Sequence, residues 1–114
     1  MPKLQTFDVR IKTGERAPSK TPRYSINGFM LDFEQTQGGI AKGDVFIATG
    51  NPDSFPHTLL LSGPEEGHWD IDELAVTYHC AGEPAYTLRF AGVTLDSESD
   101  LNIWHARPEP AFDV

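Results

Sequence analysis

Phe7, Val9 and Ile11 alternate with Asp8, Arg10 and Lys12, the period of two expected where a strand turns one face to a core and the other to water. Residues 13–23, punctuated by Gly14, Pro18 and Pro22, break that alternation and read as an exposed, extended arm. Between Tyr24 and Gln35 the apolar positions Phe29, Leu31 and Phe33 share a face, and Asn27-Gly28 marks a bulge or tight turn that can split the segment. Gly38-Gly39 turns the chain. Two short apolar strands follow, at 45–48 and 58–61, joined through the rigid loop Asn51-Pro52-Asp53-Ser54-Phe55-Pro56. From Asp72 the alternation returns, with Leu74, Val76, Tyr78 and Cys80 opposite Ala75, Thr77 and His79. The strand predicted for 86–95 contains Ala91-Gly92, a pair that predicts a bulge and a re-phasing of its side chains. The acidic turn 96–100 precedes a last strand at 101–106, after which Pro108 and Pro110 hold the tail extended.

Seven or eight short strands in about 8–12-residue steps, with no window that supports a three-turn amphipathic helix, predict an all-β chain. The expected architecture is a single-domain antiparallel two-sheet sandwich of jelly-roll or Ig-like Greek-key type. A small β-barrel is the alternative, because closure would remove the exposed edges. The 114 residues suit one domain with one core.

Charge adds a second layer to this picture. Six basic residues (Lys3, Arg10, Lys12, Arg16, Lys20, Arg23) fall within the first 23 positions beside only Asp8 and Glu15, a local balance of +4. The remaining positions hold three basic residues against fifteen acids, a balance of −12 in a chain of net −8. The arm at 13–23 is therefore expected to dock onto acidic surface, either its own or that of another subunit, through Arg16, Lys20 and Arg23. Net acidity argues against nucleic acid as a partner. No apolar run reaches the ~20 residues of a membrane span or resembles a signal peptide near the Met-Pro-Lys start, so no membrane association and a cytoplasmic location are expected. A single cysteine, Cys80, fits a reducing compartment.

Candidate chemistry is sparse. Lys42-Gly43-Asp44-Val45 followed by Asn51 to Thr58, with its Pro56-His57-Thr58, resembles the cupredoxin segment in which a Gly-Asp turn enters a strand and a histidine ligand follows. The resemblance covers about a third of the chain and implies His57 and Cys80 as copper ligands. It departs from the family in lacking a second histidine shortly after Cys80 and a methionine at the axial place, so no metal and no cofactor is expected. His68, Asp70 and Asp72 recur at every second position and would share the outer face of an exposed strand. Asp96, Glu98 and Asp100 form an oxygen-rich turn without the glycine-organised loop of a calcium site. Pairing of the late strands would bring His79 and His105 towards Arg89, and with Asp70 these define a candidate proton-transfer or small-molecule pocket. Trp69 and Trp104 are read first as core aromatics.

Two function classes follow. The leading expectation is a non-catalytic interaction or assembly module, homo-oligomeric or bound to a protein partner, with Trp104 and Phe112 joining the basic arm as contact residues. Leu101, Ile103 and His105 oppose Asn102, Trp104 and Ala106 on the last strand, which places large apolar groups on both faces. The alternative is a small-molecule-binding protein or enzyme that uses the histidines and carboxylates.

Overall fold

The computed structural model describes residues 3–90 and 92–104 and contains strands and turns but no helix in that range. The strands are β1 (Leu4–Thr13), β2 (Arg23–Ile26), β3 (Phe29–Asp32), β4 (Glu34–Gly38), β5 (Val45–Gly50), β6 (Leu59–Leu61), β7 (His68–Cys80), β8 (Tyr86–Phe90), β9 (Val93–Asp96) and β10 (Leu101–Asn102). All pairings between these strands are antiparallel, and two sheets pack together as a sandwich. The larger, here sheet I, runs β4-β5-β1-β7-β8, with β9 also on β7; sheet II runs β10-β6-β2-β3.

Turn chemistry explains why the segment predicted from Tyr24 to Gln35 is more than one strand. Asn27 and Gly28 both take positive φ, 51° and 89°, the left-handed pair that closes a two-residue hairpin and folds β3 back on β2. Phe33 is buried where the chain passes from sheet II into β4 of sheet I. The last predicted strand is shorter than its pattern: β10 ends at Asn102, although Ile103 still donates its N–H to the Leu59 carbonyl. His105 and Ala106 lie outside the described residues.

The inner faces interlock through aromatics. Phe7 on β1 meets Tyr24 on β2 edge-on at 4.9 Å, and Phe33 sits 4.9 Å from Tyr24. Phe7 faces Gly50 across the β1–β5 pair, and a β-carbon at Gly50 would fall on the Phe7 ring. The glycine there is a steric requirement of the core.

β7 is the spine of sheet I, and it changes phase halfway. Trp69 and Ile71 are buried, then Asp72 and Glu73 are both exposed, then Leu74, Val76, Tyr78 and Cys80 are buried. The cause is a bulge: Lys12 of β1 faces Glu73 and Thr13 faces Ile71, so Asp72 is an extra residue without a β1 counterpart. Across the other edge, β8 and β9 pair with β7 in one continuous register, Phe90 with Leu74 and Val93 with Ile71. Their inward positions switch from Leu88 and Phe90 to Val93 and Leu95. The re-phasing expected near Gly92 therefore matches the one in β7 opposite it.

Candidate functional site

One pair beyond the bulge β1 ends at Thr13, and the arm takes its place against β7. Gly14 donates its N–H to the Asp70 carbonyl, and the Asp70 N–H returns to the Arg16 carbonyl. Side chains reinforce this pairing. The Arg16 guanidinium binds Asp70 through two bonds, Nε to Oδ2 at 2.9 Å and Nη2 to Oδ1 at 3.0 Å, while the Arg16 N–H and the Thr94 hydroxyl donate to the same carboxylate. Four donors hold the Asp70 carboxyl well below the usual carboxylate range, the Arg16 guanidinium being the largest cause and Thr94 the next. Beneath it, the buried Trp69 indole donates to the buried Thr13 hydroxyl at 3.0 Å. Thr13 is the one buried polar residue of the described range, and its burial is accounted for by that bond.

Further along, the arm roofs a cleft of about 140 Å3. Pro18, Pro22, Pro64, Met30 and Trp69 supply apolar walls, and Lys20, Arg23 and Glu65 stand among them. Lys20 reaches Glu65 across the cleft at 3.0 Å, and Arg23 meets Asp32 at 2.6 Å. Arg16, Lys20 and Arg23 thus each pair with an acid of their own chain.

The predicted pocket is dispersed along sheet I. His79 lies at one end of β7, its Nε2 2.8 Å from Asp8 Oδ2, while Asp8 Oδ1 accepts from Thr49. Arg89 stands opposite Ala75, four residues from the level of His79 and so roughly 13 Å away. Asp70 is nine residues from His79 on the same strand, roughly 30 Å, and is committed to Arg16. The separation follows from β7 being one long strand. His105 and Phe112 lie outside the described residues. Trp104 is half-buried and packs edge-on against Tyr78 at 5.3 Å, and the buried Tyr78 hydroxyl donates to the Ile103 carbonyl. Trp104 therefore rests partly on its own core, as does the fully buried Trp69.

The remaining motifs resolve into local structure. His57 is exposed, and its N–H is used, with that of Thr58, to bind the Asn27 side chain. Cys80 is buried. The 96–100 turn is closed by its own bonds, since Asp96 accepts from the Glu98 N–H and the Ser99 hydroxyl, which hold its carboxyl below the usual range. Asp100 accepts from the Gly63 N–H. Among the described residues, no three His, Cys, Asp or Glu side chains converge as metal ligands, and no helix is long and apolar enough to cross a membrane.

Two features escaped the sequence reading. Phe29, Met30 and Phe55 are 71%, 46% and 51% exposed, although Phe29 shares the alternation of the buried Phe33. The Asn27-Gly28 signal carried the warning, because a hairpin there places Phe29 at the sheet end instead of mid-strand. Second, Arg10, Lys12 and Arg89 make no ion pair among the described residues. Alternation had put Arg10 and Lys12 on a solvent face, but only the sheet order brings Arg89 beside them. No protein-family model, no curated protein and no solved structure matches this chain.

Proposed function

We propose that this chain is a non-catalytic interaction module that self-associates along β3. The observation that carries this reading is the exposure of Phe29 and Met30 on a strand that pairs only with β2 among the described residues. An edge of this kind is a template for another strand unless bulges, prolines or charges blunt it. β3 has only Asp32, already engaged by Arg23. Antiparallel pairing of β3 with its counterpart in a second copy is self-complementary and closes as a two-fold dimer. Phe55 adds a third apolar group at the same end, because Asn27 Nδ2 binds the Phe55 carbonyl and ties the 51–57 loop to the hairpin. A contact held in place before binding loses little entropy on docking.

Sedimentation over a concentration series tests this. Wild-type chain should shift from monomer to dimer, and the Phe29→Ser/Met30→Lys double variant should remain monomeric with its thermal midpoint kept. A wild-type chain that stays monomeric throughout, or a variant that dimerises equally, overturns the proposal.

The cleft under the arm supports a second reading, a small-molecule-binding protein. Met30 and the prolines beside Lys20 and Arg23 suit a small organic acid with an apolar body, its carboxylate taking the place of Glu65 on Lys20 and of Asp32 on Arg23. Native mass spectrometry of the purified chain would reveal such a ligand as a retained mass, lost in the Lys20→Ser/Arg23→Ser variant; a bare mass throughout removes this reading.

A further inference from the structure

The described residues include eight lysines and arginines, and five of them pair with acids of the same chain: Lys3 with Asp53, Arg16 with Asp70, Lys20 with Glu65, Arg23 with Asp32 and Lys42 with Glu15. The three without such a partner among the described residues, Arg10, Lys12 and Arg89, all project from the outer face of sheet I. Acids outnumber bases seventeen to nine in this chain, so cations on one face without an acid partner among the described residues call for a cause. We propose that the outer face of sheet I docks an extended, acidic segment of a partner protein.

The register supplies the geometry. Ile47, Arg10, Ala75 and Arg89 form one row across β5, β1, β7 and β8, which sets the two arginines two strands apart, roughly 10 Å. Lys12 follows Arg10 on the same face of β1 at roughly 7 Å, the spacing of alternate side chains in an extended chain. A segment with acids at alternate positions can therefore meet Arg10 and Lys12 in succession. Ala75 is small and leaves space between the guanidiniums, while Ile47, 41% exposed, offers apolar contact at the end of the row. The strands of this face are already paired with one another at its centre, so the segment would lie across it through side chains.

Protein fits this surface better than nucleic acid. Acids stand on the same face, among them Asp8, engaged by Thr49 and His79, Glu34, opposite Thr49 on β4, Glu73, opposite Lys12, and Asp70, engaged by Arg16. They would repel a continuous phosphate backbone yet can be avoided by a peptide whose charges alternate. The rows named here carry no aromatic side chain on which bases could stack. This surface lies on the larger sheet, apart from the β3 edge, so the proposal stands independently of self-association.

The test is fluorescence anisotropy with a labelled synthetic peptide alternating Glu and Ser. Binding is expected at low ionic strength and should weaken as salt is raised. Arg10→Ser/Arg89→Ser should lose about tenfold in affinity with an unchanged thermal midpoint, the expectation for two exposed ion pairs. Arg10→Lys/Arg89→Lys should restore most of it. Lys20→Ser, which removes a cation already paired elsewhere, should leave affinity within about twofold. Absence of saturable binding, equal affinity in the Ser double variant, or tighter binding to a thymidine oligonucleotide of matched charge would overturn the proposal.

Discussion

The two halves of β7 are held by different physics. From Leu74 to Cys80 the strand lies between β1 and β8, and its inward side chains are sealed in the core. From His68 to Ile71 it lies between the arm and β9, and its hold includes the Trp69–Thr13 bond and the Asp70–Arg16–Thr94 set. A single bulged residue, Asp72, separates the two. One strand can thus draw on packing in one half and on directional polar bonds in the other, because a bulge ends one neighbour and admits another.

Truncation of a buried side chain should give the largest effect in either half. Trp69→Ala should cost about 3–5 kcal/mol and Leu74→Ala about 2–5 kcal/mol in urea melts, since both side chains are nearly inaccessible. A Trp69 loss below 1 kcal/mol would mean that the arm half is loosely held and the comparison fails. The next effects concern hydrogen bonds. Thr13→Val leaves the Trp69 N–H buried and unpaired, and Tyr78→Phe does the same to the Ile103 carbonyl. Each should cost about 1–3 kcal/mol. Amide hydrogen exchange can localise them: Thr13→Val should raise exchange in 68–71 and 93–96, Tyr78→Phe around 74–80.

Titration should separate the halves by sign. The Asp70 and Asp96 carboxyls are both depressed and both belong to the arm half, where Asp96 pairs with His68. A depressed folded value favours the charged form, so its stabilisation is present above the unfolded value of about 3.9 and lost as pH falls. Tyr78 in the core half is raised well above the usual phenol range, chiefly by burial. Its contribution is present below the unfolded value of about 10 and lost as pH rises above it. Tyr24, also raised mainly by burial, adds to that alkaline loss. Asp70→Asn should therefore flatten the acid limb of a stability profile and leave the alkaline limb unchanged. Smallest of all, Lys20→Ser should change stability by about 0–1 kcal/mol, because both partners of the Lys20–Glu65 pair are largely exposed.

Much of this division was written locally. Both phases of β7 can be seen in the chain, Trp69 with Ile71 and then Leu74 with Val76, Tyr78 and Cys80, and Gly92 advertised the matching shift in the neighbouring strand. What the letters did not show was that the two shifts face each other, since that depends on pairing register. The arm was legible as a basic segment seeking acids. Its acids proved to be Asp70, Glu65 and Asp32 of the same chain, chosen by the path of residues 14–23 across the fold. The candidate pocket of His79, Arg89 and Asp70 dissolved for the same reason, because shared facing does not give proximity along a strand of thirteen residues.

The sequence by itself determined the all-β class, the turns, the inward positions and the excess of acid, because each depends on chain-local quantities: side-chain period, backbone permissiveness at glycine, asparagine and proline, and formal charge. Tertiary structure alone decided which cations found partners, which aromatics stayed exposed and which strand became an edge. These are properties of neighbours distant in sequence. Phe33 is buried and Phe29 exposed within one alternating run, and Arg16 is bound while Arg10 is not, because each outcome rests on what the sheet order places opposite.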